Sequence, residues 1–570
     1  MAEALVVFCL AIAIGWPLGH YLAAIMRGAP MRSDRLFGWI ERPLYRLLGT
    51  DPARGMGWKT YVAAFLLSNL VIGLLVWTVL MTQAWLPLNP NGAPNMRWDL
   101  ALHTMVSFLT NTNQQHYSGQ AQLSFLSHMT GIVGLQVITP MMGLALVAAT
   151  LRGLFGGRMP AAGGTSGQPD GAGIDVGNYW ADVLRPTVRL LMPLCLLFSL
   201  LLTWQGVPAT LQGGPVATPV DAQTGMAAQK IPLGPVAPMV AIKQLGSNGG
   251  GWYGPNSAVP LENPTPLSNV IQMLAIVLIP VAVAFMVGPF TGRRKFSALV
   301  VGTMLAMSLA TTAAAMWSEA WSPDAQDSAL MEGKEVRFGA ESSALWAALT
   351  TSVNNGSVNM MHDSAAPLTG LVAMANMLVN AIWGGVGCGL QQFLVYLLLA
   401  VFLAGLMTGR TPELFGRKIE AGEVKLLAVL VLLQPLVVLG FTAATLALPS
   451  VAGTSNPSFH GISQVFYEYA SAFANNGSGF EGLGDASAWW NLSCVVALAL
   501  GRYPALILPL VIAARLGARR AAPEGPGTLQ VETPTFALTL VAIVVILTLL
   551  QFLPVLVLGA LADHLAPGAF

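Results

Sequence analysis

Ten long apolar stretches constrain this sequence more than any other of its features. The hydrocarbon core of a bilayer is about 30 Å thick, and a helix needs about 20 apolar residues to cross it. Only 9% of the residues are charged, whereas a soluble domain has about 25%. The sequence therefore predicts an all-α membrane protein with about ten transmembrane helices and excludes an ordinary cytosolic enzyme. The stretches lie at residues 4–26, 60–82, 128–150, 181–204, 268–288, 297–317, 368–407, 424–448, 488–514 and 535–560.

The seventh stretch is too long for one simple crossing and contains a glycine cluster. The cluster reads Trp383-Gly384-Gly385-Val386-Gly387-Cys388-Gly389, and each glycine lowers the stability of a helix. We expect a broken or bent helix at this point. A break inside the bilayer is tolerated only where protein or a water-filled cavity satisfies the freed backbone groups, so the cluster indicates a transport path.

Basic residues predict the orientation of the chain. The loop after the first stretch contains seven of them, and the loops after the fifth, seventh and ninth stretches contain three each, whereas the loops on the opposite side contain few. Loops rich in basic residues face the cytoplasm, which places both ends of the chain on the outer side. With a net charge of +1, the composition gives no sign of a nucleic-acid partner. The basic residues are Arg27, Arg32, Arg35, Arg42, Arg46, Arg54, Lys59, Arg293, Arg294, Lys295, Arg410, Arg417, Lys418, Arg515, Arg519 and Arg520.

A short segment rich in asparagine and glycine, here called a strip, recurs four times in the outward loops. Each strip follows a short apolar or amphipathic stretch and precedes a full span, so the repeated unit is span, pore helix, strip, span. The units are spaced roughly 105 to 140 residues apart. The strips are Thr110-Asn111-Thr112-Asn113, Ser247-Asn248-Gly249-Gly250, Val353-Asn354-Asn355-Gly356 and Ala474-Asn475-Asn476-Gly477.

This repeat divides the chain into six predicted parts around one central ion pore. They are a first span with its cytoplasmic loop (1–59), four pseudo-symmetric pore units (60–150, 181–288, 297–408 and 424–514) and a last span (535–570). The third unit contains the broken helix as its second span.

The residue types in the strips suit the coordination of a dehydrated monovalent cation. Rings of backbone carbonyls can replace the hydration shell of such an ion, and glycine and asparagine adopt the conformations that turn carbonyls toward an axis. None of the strips contains an acidic residue, which would hold the ion too tightly. One such strip is usually only a turn, but four at the same place in a repeated unit favour a pseudo-fourfold ring. We expect a side chain at Gly249 to disturb the ion path.

Longer motifs around the strips resemble a known family over nearly the whole chain. They are Thr110-Asn111-Thr112-Asn113 with Tyr117-Ser118-Gly119, Leu245-Gly246-Ser247-Asn248-Gly249-Gly250-Gly251, Glu262-Asn263-Pro264-Thr265-Pro266, Thr351-Ser352-Val353-Asn354-Asn355-Gly356-Ser357 and Ala474-Asn475-Asn476-Gly477-Ser478-Gly479. With these motifs the chain resembles the potassium-transporting A subunit of the bacterial Kdp P-type ATPase. It departs from the family at Gln114, where relatives often carry an aromatic residue.

The resemblance implies a function and partners. It implies that the strips select extracellular potassium ions and that the ions pass to a catalytic subunit, so this chain would itself catalyse nothing. The implied partners are the P-type subunit KdpB, which hydrolyses ATP, with KdpC and the small KdpF, in a high-affinity uptake complex. The implied location is the bacterial inner (plasma) membrane, with lipid around the spans and both termini periplasmic.

Two arginines are candidates for control of the pore. Arg502 lies near the middle of the ninth apolar stretch, where an arginine costs about 3 kcal/mol or more unless it faces a wet or paired interior. The resemblance implies a positive barrier below the strips, and the alternative is an arginine that reaches toward a helix end. Arg410 follows the broken helix. It could be an ordinary cytoplasmic-end arginine, or it could act in gating or in docking on the ATPase subunit.

The sequence is also compatible with two other functions. A stand-alone potassium channel or symporter would share the four strips, although the extra first and last spans favour the pump subunit. A membrane-embedded enzyme is the second alternative. The sequence contains no Walker A, HExxH or GxSxG motif and no Asp-Lys-Thr-Gly phosphorylation signature, so we expect ATP hydrolysis to occur in a partner.

Overall fold

The computed structural model describes residues 2–156, 174–220, 227–321, 331, 333–334, 336–456, 458–523 and 529–565. Within these residues, ten helices are long and apolar enough to cross a membrane. The predicted all-α membrane fold is therefore confirmed. Strands are limited there to two short antiparallel pairs, Val216–Ala217 with Gln229–Lys230 and Glu413–Leu414 with Arg417–Lys418.

The principal helices are numbered here in chain order. The spanning helices are α1 (Ala2–Met26), α3 (Trp58–Trp85), α5 (Ser127–Phe155), α6 (Tyr179–Trp204), α8 (Pro266–Thr291), α9 (Arg294–Trp321), α12 (Cys388–Met407), α13 (Ala421–Leu446), α15 (Ala488–Ala518) and α16 (Pro534–Leu565). The shorter helices are α2 (Asp34–Leu47), α4 (Trp98–Leu109), α7 (Val236–Leu245), α10 (Ala340–Val353), α11 (Pro367–Val379) and α14 (Phe459–Ala474).

The seventh span is broken, as the glycine cluster predicts. Helix α11 ends at Val379, and α12 begins at Cys388. Between them Gly384, Gly385 and Gly387 have φ angles of 58°, 79° and 89°, which a residue with a Cβ adopts only at a cost. Two of the freed backbone amides are satisfied inside the protein, because those of Trp383 and Gly384 donate to the carbonyl of Ser352.

Four short helices, α4, α7, α10 and α14, each lie between two spans and end at one strip. Each of them is largely buried. Helices α5 and α8 are mostly enclosed by the rest of the protein, whereas α1, α3, α13 and α16 are the more exposed helices, with at most a third of their span residues buried. In a membrane the exposed helices would face lipid, so the strips lie among the enclosed helices at the centre of the bundle.

A buried ion pair ties three of the spans together. The guanidinium of Arg152 on α5 donates to both carboxylate oxygens of Asp182 on α6, at 2.5 and 2.8 Å. The hydroxyl of Tyr61 on α3 donates to the same carboxylate at 2.9 Å. A charge removed from water is tolerated when it is paired and hydrogen-bonded in this way, so the network holds the first two repeated units together.

Candidate functional site: a ring of four strips

Each pore helix is followed by a left-handed residue of its strip. Asn111, Ser247, Asn354 and Asn475 follow α4, α7, α10 and α14 with φ angles of 63°, 53°, 54° and 57°. Asparagine is one of the few residues other than glycine that visit this region routinely. The four helices therefore end in the same backbone geometry, and this explains why asparagine recurs at these positions.

A second left-handed residue follows two positions later in every strip. It is Asn113, Gly249, Gly356 or Gly477, with φ angles of 59°, 76°, 87° and 104°. The residue between the two has a negative φ in each case. The four strips thus share one alternating backbone pattern. Seven of the eight left-handed residues are asparagine or glycine, and the eighth is Ser247.

This pattern shows that the second strip aligns with the other three when it begins one residue earlier than the sequence motif predicts. Its left-handed residues are Ser247 and Gly249, so Gly246 corresponds to Thr110, Val353 and Ala474, which precede the first left-handed residue of the other strips. Gly250 corresponds instead to the residue after each of the other strips. The sequence reasoning missed Gly246. The signal available for it was the end of the pore helix at Leu245.

The strips contact each other in a closed cycle. A Cβ on Gly249 would collide with the carbonyl of Asn355 in the third strip. A Cβ on Gly356 would collide with Asn476 in the fourth, and one on Gly477 with Thr112 in the first. The cycle closes between the first and second strips, where the amide of Asn111 donates to the carbonyl of Ser247 at 3.1 Å. The four predicted strips are therefore brought together in one ring.

Asparagine side chains fasten neighbouring units of the ring. The amide of Asn355 donates to the carbonyl of Lys243 at 3.0 Å, and the amide of Asn476 donates to the carbonyl of Thr350 at 3.1 Å. Each bond joins one strip to the pore helix of the preceding unit. These two asparagine side chains thus link the second, third and fourth units, which a glycine could not do.

On one side of the ring lies a polar recess, here called the mouth. Its lining includes Asn113 and Gly477 of the strips together with Gln114, Glu468 and Asp485. The amide of Gln114 donates to the carboxylate of Glu468, so the residue that departs from the family pattern is engaged in the wall of the mouth. The side chain of Asp485 is 30% exposed, so a carboxylate faces the recess.

His116 lies behind the mouth in a buried cluster. Its Nδ1 is 2.8 Å from the side-chain oxygen of Asn491, and its Nε2 is 3.2 Å from Glu468. His116, Glu468 and Cys494 place possible metal-binding atoms within 4.8 Å of one another. Both imidazole nitrogens already have hydrogen-bond partners, so the arrangement stabilises the wall of the mouth, and we assign it no ion.

On the other side of the ring lies an enclosed space of about 30 Å³, here called the cavity. This exceeds the roughly 10–15 Å³ that one water molecule needs. The first left-handed residues of three strips line it, as do Gly384 and Gly385 of the break between α11 and α12. The cavity lining is Asn111, Asn354, Asn380, Gly384, Gly385, Cys388, Gln392, Ala474, Asn475, Gly501, Arg502, Ala505 and Leu506.

Arg502 lies in the wall of the cavity. It is 5% exposed, and its guanidinium contacts the Sγ of Cys388 at 2.7 Å and the carbonyl of Thr139 at 3.4 Å. The side chain therefore points into the protein and does not reach toward a helix end. Cys388 and Thr139 were absent from the sequence-based candidates, because their approach to Arg502 joins three separate helices.

Asn380 is a further residue of this region that the sequence reasoning missed. Its side-chain oxygen accepts from the amide of Asn354 at 2.6 Å, and its amide lies 3.4 Å from the carbonyl of Ala474. It also ends α11 with a φ of 50°. Its position next to the predicted break was the available signal.

Arg410 is not part of this site. It follows the end of α12, is exposed and does not line the cavity. The structure therefore brings together the sixteen strip residues and Arg502 but leaves Arg410 apart. Its action in gating or docking stays a prediction.

Comparisons with known proteins identify the family. The family described as potassium-transporting ATPase A subunit matches residues 5–565. The chain belongs to this family. The resemblance inferred from the strip motifs is thus confirmed. Among its relatives is the potassium-transporting ATPase potassium-binding subunit of Gloeobacter violaceus, which is 44% identical over 562 residues, with 96% of this chain and 95% of that protein covered. The subunit so named from Pseudomonas aeruginosa is 42% identical, with 97% and 96% covered.

A solved structure is similar in fold to this member of the family. The potassium transporter TrkH from Vibrio parahaemolyticus superposes with a TM-score of 0.50 and 15% sequence identity. The alignment covers 88% of this chain and 97% of that one. The likeness concerns the fold, and it agrees with an arrangement of four pseudo-symmetric pore units.

Proposed function

We propose that this chain binds and selects extracellular potassium ions in the ring and passes them to the catalytic subunit of an ATP-driven uptake complex. The observation that carries the proposal is the backbone pattern shared by the four strips. Alternation between left-handed and ordinary residues allows successive carbonyl oxygens to face one axis. Four such strips in one chain supply a ring of neutral oxygen dipoles, which is the chemistry that replaces the hydration shell of potassium.

The two sides of the ring give this proposal a direction. The mouth offers carboxylates, which attract a cation, and the cavity offers the guanidinium of Arg502, which repels one. We infer that the mouth faces outward, as the distribution of basic loops predicts. An ion held in the ring would meet a positive barrier on the straight path to the cytoplasm, and it would therefore need a sideways route and a partner.

The proposed partners follow from the family. The relatives are named as subunits of a potassium-transporting ATPase, and we propose KdpB as the subunit that hydrolyses ATP, with KdpC and the small KdpF. The proposed location is the inner membrane of a bacterium, with both termini periplasmic. We further propose the six parts given above as the functional division of the chain.

The second candidate is a stand-alone potassium channel or symporter, which the similarity in fold to TrkH favours. One experiment separates the two functions. The chain is extracted gently from native membranes, and the co-purified material is assayed for ATP hydrolysis with and without potassium. We expect a stable complex with vanadate-sensitive hydrolysis that rises with potassium. A lone chain that conducts potassium passively in liposomes would support the second candidate.

A further inference from the structure

A buried lysine–glutamate pair lies directly behind the second strip. Lys243 on α7 and Glu262 in the loop before α8 both have completely enclosed side chains, and the Nζ of Lys243 contacts the Glu262 carboxylate. The other carboxylate oxygen accepts from the backbone amide of Tyr253 at 3.0 Å. Glu262 belongs to the Glu-Asn-Pro-Thr-Pro motif noted in the sequence, for which the proposed ion path gives no function.

The ion pair is connected to the ring through one asparagine. The Nζ of Lys243 donates to the side-chain oxygen of Asn256, and the amide of Asn256 donates to the carbonyl of Gly249 at 2.6 Å. An ammonium group has donors only, so it requires the oxygen of Asn256 to face it. The amide of Asn256 must then face Gly249. Lys243 thereby fixes which end of Asn256 meets the strip.

In each of the other three units a hydroxyl bonds directly to the strip or to the residue that follows it. Lys243 lies three residues before Gly246, and the corresponding residues of the other units are Ser107, Thr350 and Ser471. The hydroxyl of Ser107 donates to the carbonyl of Gln114 at 2.9 Å. The hydroxyls of Thr350 and Ser471 accept from the amides of Gly356 and Gly477, each at 3.0 Å.

The second unit therefore differs from the others at this position. A lysine replaces the hydroxyl residue, and its support reaches the strip through Asn256 rather than by one direct bond. Because a buried ammonium must be paired, the lysine requires Glu262. As a result, the carbonyl of Gly249 accepts a hydrogen bond from the amide of Asn256, and an ion pair holds that amide in place.

We propose that Lys243, Asn256 and Glu262 are positioning residues that set the discrimination of the ring between potassium and other monovalent cations. The inference deepens the proposed function and rests on it. Removing the donor would leave the Gly249 carbonyl free to turn and to accommodate ions of other sizes. Selectivity would then weaken while the fold and the maximal rate are retained.

The test uses the purified whole complex and the Asn256→Asp variant. Aspartate keeps the size of the side chain and the contact with Lys243, but it removes the amide that donates to Gly249. ATP hydrolysis is measured against concentration for potassium, rubidium and sodium. We expect the ratio of half-saturating rubidium to potassium concentrations to change at least threefold, with the maximal rate within a factor of two.

The matched control is Lys334→Met. Lys334 forms a second buried pair with Glu319 at 3.1 Å, at the end of α9 in the third unit, so this variant disturbs a buried ion pair away from the second strip. We expect its ion ratio to equal that of the parent complex. A parallel shift in Lys334→Met would mean that any buried pair affects the ratio and would overturn the inference.

The remaining outcomes distinguish a failure of the proposed function from a failure of the positioning role. A parent complex that responds equally to the three ions would overturn the proposed function itself. A selective parent with an unchanged ratio in Asn256→Asp would overturn only the positioning role. If Asn256→Asp does not assemble, the same ratio is read on the charge-neutral double variant Lys243→Met with Glu262→Gln, and an unchanged ratio there also overturns it.

Discussion

The mouth and the cavity lie on opposite sides of one ring and carry opposite charges. The mouth is lined by the carboxylates of Glu468, Glu481 and Asp485. Among the residues that line the cavity, Arg502 is the charged one. The ring between them is built from neutral backbone and amide groups. The proposed function assigns attraction, selection and repulsion of a cation to three adjacent layers, namely the mouth, the ring and the cavity. Because each layer has its own chemistry, each can be disturbed separately.

The largest effect on potassium affinity is expected from a change in the ring, which is the neutral layer. Gly249→Asp adds a side chain where a Cβ already collides with the backbone of the third strip. A shift of the strip backbone that relieves this collision would misplace carbonyl oxygens of the ring, so we expect apparent potassium affinity to fall at least about tenfold. Other monovalent ions should be admitted. The measurement is potassium-, rubidium- and sodium-stimulated hydrolysis by the complex.

One control sharpens this prediction. Gly302→Asp changes a glycine of α9 whose Cβ would meet no neighbour within 4 Å, and reduced assembly common to both variants identifies a general effect of the added carboxylate. The idea fails if Gly249→Asp retains the affinity and ion preference of the parent protein.

The second effect is expected in the positive layer. Arg502→Ala removes the guanidinium from the cavity wall, so a cation in the ring should meet a lower barrier on the straight path. We expect the protein to be made and the number of ions moved per ATP hydrolysed to become poorly controlled, with a passive leak severalfold above the parent. Rubidium flux and ATP hydrolysis measured on the same liposomes check this.

Arg502→Lys is the matched variant for that measurement, since it keeps the positive charge while losing the planar donors. It should leak less than Arg502→Ala. Unchanged coupling of transport to hydrolysis in Arg502→Ala would contradict a barrier role.

A smaller effect is expected in the acidic layer as pH falls. Burial raises the pKa of Asp485 to about 6, with Glu468 adding to the rise and His116 opposing it. The carboxylate is therefore charged above about pH 6 and becomes neutral below it. Since a cation favours the charged form, apparent potassium affinity should weaken about twofold to fivefold between about pH 7.5 and 5.5, or about 0.5–1 kcal/mol.

The variant Asp485→Asn isolates this contribution. It should be weaker than the parent at the higher pH and should show a flatter dependence on pH, which potassium titrations at several pH values would measure. An equal pH dependence in both proteins would assign the effect to another group.

The smallest effect is expected at Arg410, which lies outside all three layers. Arg410→Ala should leave ion preference unchanged, because the side chain is exposed and does not line the cavity. A change in the stability of the complex would support docking, and a change in ion flux without loss of assembly would support gating. Size-exclusion profiles and flux measurements distinguish the two.

The spans and the break could be predicted because each follows from a local requirement. The length of an apolar run is fixed by the bilayer, and Gly384, Gly385 and Gly387 weaken a helix wherever they occur. The strips could be located for a similar reason, since asparagine and glycine are the residues that suit left-handed backbone. These features depend only on residues that are close together in the chain, so one sequence suffices to find them.

The missed features depend on contacts between distant parts of the chain. The alignment of the second strip with the other three was ambiguous, because Gly249-Gly250-Gly251 can be aligned in several ways. The end of α7 at Leu245 resolves it. The support of Gly249 by Asn256 and Lys243 depends on three segments meeting in space. Sequence position also does not reveal that Arg410 lies away from the cavity, and its action in gating or docking stays a prediction.

The most direct test is to locate the ion. The purified complex is crystallised or imaged with rubidium or thallium in place of potassium, and anomalous scattering identifies the ion. We expect density on the axis of the ring, in contact with carbonyl oxygens of all four strips, and none beside Arg502. A complex that transports potassium but holds no ion in the ring, or holds it against Arg502, would contradict the account.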